Sequence, residues 1–138
     1  RVFSVFGEDM RGYAREVAFC KIYTYIMSGE FDEDFLEFDT EKLGEDVDFA
    51  KSLIEGVIAD KESLDTEIAK LSKSFKLSRI YRIDLAILEL AIWEIDHTET
   101  PYQVVINEAV GIAKKYSTEK SVSYVNGVLA AFVRGKNE

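Results

Sequence analysis

Three residue types that build compact catalytic or metal sites are scarce in this chain of 138 residues: it has one cysteine, one proline and one histidine. The lone Cys20 excludes an internal disulfide and fits a reducing, cytoplasmic compartment. His97 and Cys20 are far apart in sequence, and a structural zinc site needs four N/S ligands, so no metal or other cofactor is expected. There is no glycine-rich phosphate loop, no dinucleotide fingerprint, no Gly-Xaa-Ser-Xaa-Gly elbow and no supported Cys–His arrangement. Carboxylates are abundant but spread along solvent faces, without a catalytic pair that stands out. These absences point away from an enzyme. Long apolar runs are missing too: the stretch from Leu85 to Ile95 is short and broken by Glu89 and Glu94, so no bilayer span is expected. No signal-peptide pattern opens the chain. It begins at Arg1 rather than Met, so native residues are expected to be missing or replaced there.

What is present is helical periodicity in a composition that is 47% hydrophobic, enough for one domain with a sizeable core. Residues 8–28 read as a first helix with Ala14, Val17, Ala18, Ile22, Tyr25 and Ile26 on one face, closed by Ser28-Gly29. Phe31, Phe35 and Phe38 suit a short second helix. Residues 45–61 read as a third, with Ala50, Leu53, Ile54, Val57 and Ile58 inward. Residues 63–75 read as a fourth, through Leu64, Ile68, Leu71 and Phe75, nearly continuous with the third across Asp60-Lys61. Ser78 is a candidate cap for a fifth helix over roughly 79–96. That helix is apolar on all sides, which predicts burial between the N-terminal and C-terminal helices, with His97 near its end.

The last third is the most patterned. Thr100, Pro101 and Gln103 have the spacing of a capping box with proline at the first helical position. Val105, Ala109, Ile112 and Tyr116 form a stripe. Ser117-Thr118 ends that helix and caps the next, whose stripe is Val122, Val125, Leu129 and Phe132. Asn107, Asn126 and Gly127 interrupt these helices. The expectation is that Gly127 admits a neighbouring helix and that the Asn side chains bond to nearby backbone. The fold class expected is all-α, about seven helices, as a single domain with an N-terminal helical half (1–77) and a C-terminal half (78–138).

The net charge of −9 argues at first against a nucleic-acid ligand. Yet ten acids and only Lys42 fall between Glu30 and Asp48, so the whole excess sits in one acidic segment and the remainder is neutral. A basic surface elsewhere remains open. Arg11 and Arg15, four apart, share a helix face with Tyr13 beside them. Lys120, Ser123 and Tyr124 occupy the first turns of the last helix, where free N–H groups favour phosphate and an aromatic ring offers a stacking face.

The motifs Thr100-Pro101-Tyr102, Val105-Ile106-Asn107-Glu108-Ala109, Ala113-Lys114-Lys115 and Tyr124-Val125-Asn126-Gly127-Val128-Leu129 together resemble the NusB family of bacterial transcription antitermination factors. The likeness extends more loosely to Arg11 through Tyr23 and to Arg82 through Glu94. The resemblance implies two perpendicular three-helix bundles, with the fifth helix in the second. It also implies a non-enzymatic adaptor that binds single-stranded boxA RNA of nascent ribosomal RNA together with the ribosomal protein NusE, within an RNA polymerase antitermination complex. It assigns RNA contacts to Arg11, Arg15, Lys120, Ser123 and Tyr124, and NusE contacts to Tyr23 and Asp84. Gly12 and Tyr13 stand where the family often has arginine, which weakens the electrostatic term. Two other readings share the fold: an accessory module of a ribosomal RNA methyltransferase system, disfavoured by the few residues after Phe132, and a structural homodimer.

Overall fold

A computed structural model describes residues 11–30, 40–72 and 76–136. Six long helices carry the fold: α1 (Gly12–Ser28), α3 (Val47–Ala59), α4 (Lys61–Leu71), α5 (Arg82–His97), α6 (Tyr102–Tyr116) and α7 (Glu119–Lys136); a single turn, α2 (Thr40–Leu43), precedes α3. No strand occurs among the described residues. The fold is all-α, as the sequence pattern requires. The short helix expected at Phe31, Phe35 and Phe38 lies outside the described residues, as does Phe75.

α1 ends at Gly29, whose φ of 73° lets its amide turn back to the carbonyl of Tyr25. Its buried side chains are Ala14, Arg15, Ala18, Phe19 and Ile22. α3 and α4 are separated by Asp60 alone. The N-terminus of α7 is closed as the sequence predicts, by Thr118 Oγ1 accepting from the Ser121 amide at 3.0 Å. Two boundaries differ from expectation. α5 begins at Arg82 rather than near Ser78, because residues 77–79 form a separate 3-10 turn and Ile80 and Tyr81 are extended. Pro101 takes the cap position of α6 with ψ 138°, and no side chain caps that helix; Thr98 instead receives the amide of Thr100.

α5 is the centre of the molecule. It packs against α1, α3, α4, α6 and α7, and every residue from Asp84 to Ile92 is buried. Three of its buried residues are acids, Asp84, Glu89 and Glu94. Their spacing of five residues turns each about 140° from the last on an α-helix, so they point three different ways. Each meets a different neighbour. Asp84 accepts from Ser117 and Ser121 at the α6–α7 turn, Glu89 from Lys61 of α4, and Glu94 from Arg15 of α1. Buried acids are tolerated when paired in this way; of the three, Glu89 is the least satisfied, with its Oε1 buried and without a hydrogen-bond partner among the described residues.

The close helix approach lies elsewhere than Gly127. A Cβ on Gly127 would meet nothing within 4 Å, whereas one on Gly56 would sit 2.1 Å from the Trp93 ring. Glycine at 56 therefore lets α3 lie against the indole on α5. Asn107 and Asn126 are exposed, not buried against backbone.

Candidate nucleic-acid interface

The predicted contact residues divide between two regions of the molecule. Arg11 lies against α3, 3.5 Å from Asp46 and with its guanidinium 4.2 Å from the Phe49 ring centre. Arg15 is 2% exposed. Its Nε and Nη2 donate to the two carboxylate oxygens of Glu94 at 2.8 and 2.6 Å, and Nη1 lies 3.5 Å from Glu108. This corrects the assignment of Arg15 to the RNA surface: a guanidinium enclosed and paired bidentately is committed to the interior. The i, i+4 spacing with Arg11 does place both on one side of α1, but that side is turned onto α3, α5 and α6.

Lys120, Ser123 and Tyr124 do come together, at the entrance of α7, with Lys120 and Ser123 exposed and Tyr124 half-buried. The Tyr124 hydroxyl lies 2.5 Å from Ser72 Oγ, which fixes the ring between α4 and α7. Burial, first, and the nearby Asp84 carboxylate push the Tyr124 phenol up despite that hydrogen bond, so it stays neutral. Along α5 this entrance is level with Asp84, whereas Arg15 is level with Glu94, about 15 Å away at 1.5 Å per residue.

Asp84 is also corrected. It is 3% exposed, and Ser117 Oγ and Ser121 Oγ each donate to it at 2.7 Å. The donors are serine hydroxyls from 33 and 37 residues further along the chain, too distant in sequence for spacing to reveal them. Asp84 therefore anchors the α6–α7 turn through its two serine hydrogen bonds. Tyr23 is partly buried and stacks on Phe19, with centroids 6.4 Å apart. Phe19 also touches Tyr116, the residue before Ser117, so Tyr23 shares this end of the molecule.

Sequence reading missed two members of the site. Arg79 and Tyr81 line a hollow of about 350 Å³ together with Ile80, Asp84, Lys120, Ser121 and Tyr124. The signal was the 79–81 triplet itself. Ile80 is extended and 5% exposed, so it anchors inward, and its two neighbours project outward, with Tyr81 63% exposed. Nearby, Lys115 donates to Glu16 at 2.5 Å, and Tyr116 bonds the same carboxylate. The Lys115 bond, first, and the Tyr116 bond hold the Glu16 carboxyl below its usual range. No described helix is long and apolar enough to cross a membrane.

Comparison with known proteins places this geometry in a family. The NusB family model matches residues 13–134. A transcription antitermination protein NusB from Acetivibrio thermocellus is 41% identical over 130 residues, covering 91% of this chain and 90% of that protein. One from Thermoanaerobacter pseudethanolicus is 42% identical over 126 residues, covering 90% of each. Among solved structures, T. maritima NusB superposes with a TM-score of 0.81 at 26% identity, covering 92% of both chains. A crystal structure of antitermination factors NusB and NusE in complex with dsRNA gives 0.78 at 26% identity, covering 92% of this chain and 99% of that one. With a match that spans nearly every helix described above, the chain belongs to the NusB family.

Proposed function

We propose that this chain is a transcription antitermination factor that binds single-stranded boxA RNA of nascent ribosomal RNA jointly with NusE, and so joins an RNA polymerase antitermination complex in the cytoplasm. The observation that carries the reading is the entrance of α7, where the exposed Lys120 and Ser123 adjoin the half-buried ring of Tyr124 at a helix N-terminus. The relatives' name gives the process, and a structural neighbour solved with NusE and RNA gives the two partner classes. Arg11 and Tyr23 remain candidates for RNA and NusE contacts; Arg15 and Asp84 act from the interior. NusE supplies part of the affinity.

The test is RNA binding measured by fluorescence anisotropy with and without purified NusE. Single-stranded boxA RNA should bind more tightly than its duplex, and NusE should tighten it further. About three phosphate contacts give a log–log salt slope of roughly −2 for a single strand. Equal affinity for duplex and single strand at physiological salt overturns the single-strand reading.

A further inference from the structure

We propose that the hollow formed by Arg79, Tyr81, Lys120 and Tyr124 is a subsite for one unstacked nucleotide of an RNA strand, with its base against the tyrosines and its phosphate between the two cations. The proposal rests on the RNA-binding reading above and adds Arg79 and Tyr81 to the surface.

The hollow is a built feature. Its floor consists of Ile80, Asp84 and Ser121, which are 5%, 3% and 2% exposed. That floor is held from below: Asp84 accepts from Ser117 and Ser121, and the Ser121 amide is capped by Thr118. One wall is the ring of Tyr124, fixed by Ser72. The other is the 79–81 triplet, pinned by buried Ile80 and by Arg82 donating to the Ile80 carbonyl at 3.2 Å. A volume of about 350 Å³ lies at the small end of ligand sites, which run from about 300 to 1,000 Å³. It suits a single base with its sugar, and a base inside a duplex cannot reach it without leaving its stack.

The charge pattern supports the same ligand. Three other cations near α5 are paired within the chain, Arg15 with Glu94, Lys61 with Glu89 and Asp65, and Lys136 with Asp96, while Arg82 of α5 is exposed and donates to the Ile80 carbonyl. Arg79 and Lys120 are exposed and form no ion pair among the described residues, although both border the hollow. Tyr81 is the most exposed large hydrophobic side chain among the described residues, at 63%. Two uncommitted cations flanking two tyrosines make an anion-and-base site rather than an apolar groove.

The experiment walks a single abasic residue along a short single-stranded boxA oligoribonucleotide and measures affinity for the parent, Tyr81→Ala, Tyr81→Phe and Arg79→Gln. All three substitutions are at exposed positions, and circular dichroism verifies the fold. In the parent, one abasic position should cost roughly 5- to 150-fold, the worth of one stacked base. Tyr81→Ala should abolish the penalty at that position alone, and Tyr81→Phe should restore it. Arg79→Gln should reduce the magnitude of the salt slope by about 0.7, one single-strand phosphate contact. Parent-like affinity, salt slope and abasic profile in Tyr81→Ala and Arg79→Gln overturn the subsite while the RNA-binding reading stands. Loss of NusE binding in these variants with RNA binding unchanged also overturns it, and makes the hollow a protein contact. A parent that binds no RNA, alone or with NusE, defeats the underlying reading instead.

Discussion

Arg15 has the chemistry of a phosphate ligand and the position of a core residue. Burial decides between them, because its guanidinium is already matched bidentately to Glu94 inside the protein. Removing one partner of a buried pair strands the other charge, which typically costs about 3–5 kcal/mol. Arg15→Ala should therefore lower the urea-unfolding free energy by that order. A loss below about 1 kcal/mol would place the guanidinium in water and restore it as a surface cation. Asp84 teaches the same lesson with hydroxyl partners. In sequence it looks like an isolated acid opening an apolar helix; in three dimensions Ser117 and Ser121 complete it. Residue type and spacing fixed neither role, since the partners of both lie on other helices.

At the scale of helices, the two glycines at 56 and 127 make opposite predictions. Both interrupt a helix interior, where alanine is preferred by roughly 1 kcal/mol. At Gly127 the Cβ would point into open space, so Gly127→Ala should stabilise by about 0.5–1 kcal/mol. At Gly56 the Cβ would overlap the Trp93 ring, which cannot swing away freely. Its Nε1 donates to Asp60 at 3.0 Å, and its face stacks on His97 at 4.5 Å. Gly56→Ala should destabilise by about 1–3 kcal/mol despite the propensity gain. Paired chemical-denaturation curves check both; a shift of the same sign in the two variants contradicts the packing described here. Among the described residues the long helices and most inward positions were legible from periodicity: Ala50, Leu53, Ile54 and Val57 of α3 and Val125, Leu129 and Phe132 of α7 are buried, whereas Ile58 and Val122 are only partly buried and Tyr116, expected in the α6 stripe, is exposed. Which glycine faces a neighbour was not legible, because that depends on the rotation of one helix against another.

For the molecule as a whole, Glu89 makes stability depend on pH. Burial, first, and the adjacent Asp65 push its carboxyl up to about 9, with Lys61 working against both. Lys61 itself is raised: burial lowers it, but its bonds to Glu89 and Asp65 prevail. Between the ordinary carboxylate range and about pH 9, the folded chain keeps a proton that the unfolded chain has released. Folding is then favoured at the acid end of that window and loses stability as pH rises through it, by at most about 1.4 kcal/mol per pH unit for one proton. Glu89→Gln replaces the protonated acid with a neutral amide. It should flatten this decline and exceed the parent in stability near pH 9. Parallel pH profiles of the urea midpoint for the two proteins would rule out the retained proton.

By itself the sequence determined the helical class, the placement of most helices, the Gly29 and Thr118 ends and the central burial of α5. All of these follow from interactions within a few residues or from the period of the apolar pattern. The motif resemblance to the NusB family held as well. Only the tertiary structure decided that Arg15 and Asp84 are interior ties. It alone showed that Gly56 rather than Gly127 is the point of helix contact, and that Arg79 and Tyr81 meet Lys120 and Tyr124 across a hollow. The physical reason is common to these cases. A charged or small residue takes its role from what faces it. For residues on different helices, that is set by how the helices pack around α5, which spacing along one helix does not encode.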